Sequence, residues 1–123
     1  MGRYVDGFVL KVPKKNLAVY KKMAKAAGKI WMEHGALEYV ECVGDDLNIK
    51  MCGSFKTLTK NKPAEAVLFS FIIYKSRKHR DAVNKKVMGD KRMNEMCDPN
   101  DMPFKMKDIY YGGFDSIVDL TKK

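Results

Sequence analysis

The stretch Ala66-Val67-Leu68-Phe69-Ser70-Phe71-Ile72-Ile73-Tyr74 decides the fold. Successive side chains of a strand point to opposite faces, and here both alternating sets are apolar, which predicts a central strand covered from both sides. Working outward, Tyr4 to Val12 contains the two-sided run Phe8-Val9-Leu10 and predicts a second interior strand. The segments Ala36 to Val43 and Ile109 to Leu120 also read as strands. They carry Glu38, Glu41, Asp115 and Asp119, polar groups that belong on sheet edges. Between the strands, Lys14 to His34 has the period of an amphipathic helix, with Leu17, Tyr20, Met23, Ala24, Ala27, Ile30 and Trp31 on one side and Lys14, Lys21, Lys25 and Lys29 on the other. Ser76 to about Cys97 is helical again. The order strand, helix, strand, strand, helix, strand predicts an α+β fold: a ferredoxin-like βαββαβ sandwich with an antiparallel sheet, in one domain spanning residues 1–123. The helices are expected to cover the face that carries Phe114.

Such a sandwich leaves one sheet face bare. Because the central strand is apolar on that side too, and large bare apolar patches are rare on monomers, the expected partner is a second copy, joined through the sheet faces. No apolar leader begins the chain and no stretch has the roughly 18 apolar residues that a membrane span needs, so a cytoplasmic location is expected. Three cysteines, Cys42, Cys52 and Cys97, are an odd number without CxxC spacing, which points to a reducing compartment and to thiols acting as small apolar residues. A net charge of +9 raises nucleic acid as a partner. Without a stacking-aromatic strand motif, a GXXG loop or zinc-finger spacing, that binding is expected to be weak and unspecific.

The chemistry-bearing residues gather through topology. The end of the first helix and the start of the second fall at one end of the sandwich, which brings His34 and His79 to the same rim. Asp6 and Tyr4 begin the first strand there, Glu38 begins the second and Tyr74 ends the third. A helix C-terminus favours imidazolium and an N-terminus the neutral ring, so His34 and His79 have opposed environments of the kind that acid and base roles need. The candidate catalytic set is therefore His34, His79, Asp6 and Glu38. The plainer alternative is that His34 closes the last helical turn before Gly35 and that His79 packs at a helix start. Candidate ligand contacts are Tyr4, Tyr74 and Trp31, together with Met102 and Phe104 from the turn-rich stretch Asp98 to Phe104, which is suited to act as a lid. The long segment from Gly44 to Pro63 is a second candidate cover or an arm across a dimer. Gly112-Gly113 in the last strand suggests a bulge or a close backbone approach. No GxSxG, GxxxxGK[ST] or HExxH motif occurs, and neither a metal nor an organic cofactor is expected.

The runs Tyr4-Val5-Asp6-Gly7-Phe8-Val9, Glu33-His34-Gly35-Ala36-Leu37-Glu38-Tyr39-Val40-Glu41-Cys42-Val43, His79-Arg80-Asp81-Ala82-Val83-Asn84 and Tyr111-Gly112-Gly113-Phe114 resemble the YbaA-like family, catalogued as domain of unknown function 1428. The resemblance covers nearly the whole chain and implies a dimeric α+β barrel, two sheets facing each other with the helices outside. It brings no activity to transfer. Departures concentrate between Leu47 and Pro63, where Lys56 stands in place of the family's usual proline, and at Lys91. Three classes stay open: a small-molecule-binding dimer, with cofactor-independent acid/base chemistry within reach; a basic protein associated with nucleic acid; and a structural or regulatory dimer.

Overall fold

Period-two alternation produces four strands, and the computed structural model, which describes residues 2–98 and 100–122, joins them in one antiparallel sheet. Strand β1 is Tyr4–Pro13, β2 is Glu38–Val43, β3 is Glu65–Tyr74 and β4 is Ile109–Asp115, in the order β2-β3-β1-β4. The two strands with apolar residues on both faces, β1 and β3, are the interior pair, and β2 and β4 are the edges. Register sets Tyr4 opposite Tyr74, Phe8 opposite Ser70 and Tyr111, and Glu41 opposite Ser70. Tyr4, Asp6, Phe8, Tyr39, Glu41, Ile72, Tyr74 and Tyr111 therefore share one face.

Helices cover that face. After a 3-10 turn at Lys14–Asn16, helix α1, Leu17–Glu33, buries Tyr20, Ala24, Gly28 and Ile30 and leaves its lysines in solvent, as the periodicity requires. The segment expected as one helix from Ser76 to about Cys97 is two helices. Ser76 caps α3, Arg77–Met88, by accepting the His79 N–H, and Gly89 ends it. Asp90 then caps α4, Lys91–Met96, by accepting the Arg92 N–H, so the break follows from the extended backbone that Asp90 adopts as a helix-starting cap. Val83 and Val87 on α3 pack into a core with Tyr4, Ala36, Ile72 and Tyr74.

Three expectations need correction. The last strand ends at Asp115 rather than Leu120, because Tyr4↔Asp115 is the final pair that β1 offers; beyond it Asp119 turns to meet Arg3 in two bonds of 3.0 Å. Phe114 lies opposite Val5 on the uncovered face, with its ring over Gly7 and Gly112, and is 62% exposed. The helices cover Ile109, Tyr111 and Gly113 instead. All three cysteines are exposed rather than packed as small apolar residues; Cys42 faces away from the helices, opposite Phe69. The pairing of β1 with β4 runs without a bulge, so Gly112-Gly113 answers to close approach: a Cβ at Gly113 would collide with the Tyr4 phenol.

Part of the uncovered face is shielded by the chain itself. The segment between β2 and β3 contains a short helix not foreseen from the sequence, α2, Phe55–Thr59, capped by Ser54. Phe55 meets Phe69 edge-on at 6.0 Å and the Tyr110 hydroxyl donates to the Leu58 carbonyl, so α2 sits over one end of the sheet and Val67 is buried beneath it. The rest stays open: Phe69 is 45% exposed. Among the described residues no helix is long and apolar enough to cross a membrane.

Candidate functional site: an aromatic cavity beside a buried carboxylate

Topology brings the two histidines to one end of the sheet. Gly35, with a φ of +116° that favours glycine, follows His34, and a side-chain carbon there would stand 3.3 Å from His79 Nε2. The rings nevertheless take separate partners. His34 Nε2 lies 2.8 Å from Asp90 Oδ2, whose carboxyl is held well below the usual range by the Arg92 guanidinium and then by His34. His79 Nδ1 accepts the Lys75 N–H at 2.9 Å, and its ring meets Tyr74 edge-on.

Asp6 gathers the rim. Its carboxylate, 1% exposed, accepts the Tyr74 hydroxyl at 3.1 Å and Arg80 Nη1 at 2.8 Å. Arg80 Nη1 also donates to the Tyr111 hydroxyl at 2.8 Å, and its guanidinium lies 5.0 Å above the Tyr4 ring. Burial pushes the Asp6 carboxyl upward, and the charge of Arg80 with the Tyr74 hydrogen bond only partly pulls it back. Tyr74 is pushed up by burial and by the neighbouring Asp6 charge, so its phenol stays a donor. Of the rim residues named from sequence, Asp6, Tyr4 and Tyr74 therefore meet. Glu38 does not join them: it lies on the opposite face of β2 and pairs with Arg3 at 2.9 Å. Arg80 and Tyr111, which complete the cluster, were not anticipated.

Next to this cluster, between α1 and the sheet, is a cavity of about 200 Å³. Phe8, stacked on Tyr111 at 4.8 Å, forms part of its wall and connects it to the rim. Trp31 lines it from α1, and Met102 and Phe104 close it from the stretch before β4, where Phe104 meets Tyr20 edge-on at 5.7 Å. Three of the ligand contacts expected from sequence thus line one space, whereas Tyr4 and Tyr74 belong to the Asp6 cluster. Pro99, within the expected lid, lies outside the described residues.

The polar wall of the cavity is a carboxylate held by two phenols. Tyr20 donates to Glu41 Oε1 at 2.9 Å and Tyr39 to Oε2 at 2.8 Å. Burial first, and then the Glu41 charge, push both tyrosines upward, so both stay protonated and keep donating. The same residues also line a second, open groove of about 1140 Å³ between α1 and the edge strand β2, rimmed by Lys21, Lys25 and Lys29. Tyr20, Tyr39 and Glu41 therefore form the wall between an aromatic interior and a lysine-rimmed exterior.

Gly28 makes room for that wall, because a Cβ there would come within 2.6 Å of Tyr39 Cδ1. Alanine normally gains about 1 kcal/mol over glycine inside a helix, but overpacking against a ring costs about 1–3 kcal/mol. Gly28→Ala is therefore expected to gain no stability in chemical denaturation and to lower the Tyr39 phenol's protection of Glu41; a variant more stable by about 1 kcal/mol would show that the ring yields freely.

With this geometry in place, the family can be identified: the family model described as "Protein of unknown function (DUF1428)" matches residues 3–106, and the chain belongs to that family. It is 43% identical over 117 residues to "Uncharacterized protein YbaA" of Escherichia coli strain K12, covering 95% of this chain and 98% of the relative. The same identity and coverage hold for the YbaA proteins of Escherichia coli O157:H7 and Shigella flexneri.

Proposed function

We propose that the protein is a small-molecule-binding homodimer whose ligand occupies the aromatic cavity between α1 and the sheet. The observation that carries this is the composition of the cavity: a mostly apolar space of about 200 Å³ with few polar groups, among them the Glu41 carboxylate held in place by Tyr20 and Tyr39. Ligand sites combine apolar walls with a few fixed polar groups in this way. Trp31, the only tryptophan in the chain, lines the cavity and serves as a built-in optical reporter. Native mass spectrometry of the protein purified without denaturation, read together with Trp31 emission, is expected to show a retained small molecule whose removal shifts the emission. Ala27→Leu, which fills the cavity from α1, is expected to abolish retention. Identical mass and emission before and after stripping, with no ligand found in a metabolite extract, would refute the proposal.

Self-association is supported by the uncovered face. Strand order β2-β3-β1-β4 with both long helices on one side is what a ferredoxin-like sandwich requires, and two such sheets placed face to face would make a dimeric α+β barrel. Phe69, Phe71 and Ile73 from β3, with Val40 and Phe114 from the edges, give this face the apolar character that an isologous interface uses.

A further inference from the structure

Resting on the reading that the cavity holds a ligand, we propose that this ligand is a small organic cation, a substituted or quaternary ammonium, and that Glu41 is its counter-charge. Each Glu41 oxygen accepts one phenolic hydrogen, which leaves further acceptor sites on both. Among the described residues no Lys, Arg or His nitrogen lies within 4.0 Å of Glu41, although the chain has a large excess of basic residues. A half-buried carboxylate with hydrogen-bond donors but no cation keeps its charge uncompensated, which makes it a ready counter-charge for a ligand cation. Here two phenols supply hydrogen bonds but no cation, and on the cavity side the adjoining space is aromatic.

The walls fit the same chemistry. Phe8, Trp31, Tyr20, Tyr39 and Phe104 line the cavity, and aromatic rings attract ammonium groups through their negative faces. Met23 and Met102 add polarizable sulfur. At about 30 Å³ per water in the liquid, the cavity has the volume of about six or seven waters, which suits a ligand of similar heavy-atom count. Inside the cavity an anion would face the Glu41 carboxylate with no lysine or arginine on the lining among the described residues, since the lysines rim the groove on the other side of the wall. The net positive charge of the chain opposes cation entry at long range, but at physiological ionic strength that field is screened beyond about 8 Å, whereas the Glu41 contact is direct.

Choline and its uncharged isostere 3,3-dimethylbutan-1-ol have the same shape and differ in charge. Titrated separately into the stripped protein, with Trp31 emission and calorimetry as readouts, choline is expected to bind at least about tenfold more tightly than the alcohol. Glu41→Gln is expected to reduce that preference severalfold, leaving the part that the aromatic walls supply, while the alcohol's affinity stays unchanged, which also shows that the variant's cavity is intact. Should Glu41→Gln fail to fold, Phe104→Leu is expected to weaken choline more than the alcohol. Equal binding of the two probes would overturn the cation assignment, and a preference for choline undiminished in Glu41→Gln would overturn Glu41 as its counter-charge; either result leaves the cavity as a ligand site. Binding of neither at millimolar concentration would overturn both.

Discussion

Replacing Arg80 with methionine is expected to lower the free energy of unfolding by about 3–5 kcal/mol at neutral pH, because it strands a buried carboxylate. Asp6 is 1% exposed and Arg80 is its only ion-pair partner among the described residues. The deficit should depend on pH. Asp6 is held above its ordinary value of 3.8, so the folded state binds its proton more tightly than the unfolded chain does. The stability gained from that proton is fully present below the unfolded value and is lost as pH rises through the folded one. Loss of Arg80 raises the folded value further, so the variant's deficit is largest at neutral pH and shrinks on acidification. Denaturant titrations at pH 7 and at mildly acid pH measure this. An Asp6→Asn and Arg80→Met double variant should recover most of the loss, since it removes the charge together with its partner. A deficit that is the same at both pH values and undiminished in the double variant would assign Arg80 a packing role through Tyr4.

Phe69→Glu is expected to convert the proposed dimer to a monomer. The residue lies on the interior strand β3 and is already 45% exposed in the single chain, so the substitution gives up its edge-on contacts with Phe55 and Phe71 at a cost of about 1–3 kcal/mol to the monomer without emptying the core. In a symmetric interface the change appears twice and buries charges without partners, at several kcal/mol for each ion, which raises the dissociation constant by at least about a thousandfold. Light scattering at micromolar concentration should give the mass of two chains for the parent and of one for the variant, with the same circular dichroism. A parent that is monomeric, or a variant that remains a dimer, would remove this face from the assembly.

Strands were legible in the sequence because period-two burial leaves a direct imprint: the two-sided pattern of β1 and β3 identified the interior pair. Helix α1 was legible for the same reason at period 3.6. The face of β4 was not, because Gly112 and Gly113 carry no side chains and interrupt the alternation, so only pairing with β1 shows that Phe114 faces away from the helices. The break between α3 and α4 had a local signal in Gly89-Asp90, which the longer helical pattern masked. Asp6, Tyr4 and Tyr74 could be brought together by topology alone. Arg80 could not, since its bond to Asp6 spans 74 positions and depends on a side chain reaching back over Tyr4. Glu41 was taken for an edge carboxylate because a charged residue in a short strand looks the same whether it meets water or two phenols. The signal that separates these cases is Tyr39 two positions away on the same face, together with Tyr20 on the apolar side of α1.

Neighbouring residues of β3 serve different sides of the sheet: Ser70 lines the aromatic cavity, while Phe69 stands on the uncovered face. In β2 the same holds for Glu41 and Cys42. A substitution at one position therefore leaves its neighbour's surroundings almost untouched, even though the two share a peptide bond. If the two proposals hold, ligand selectivity and self-association would be set largely by alternate positions of the same strands, and each trait could drift over evolutionary time with little effect on the other.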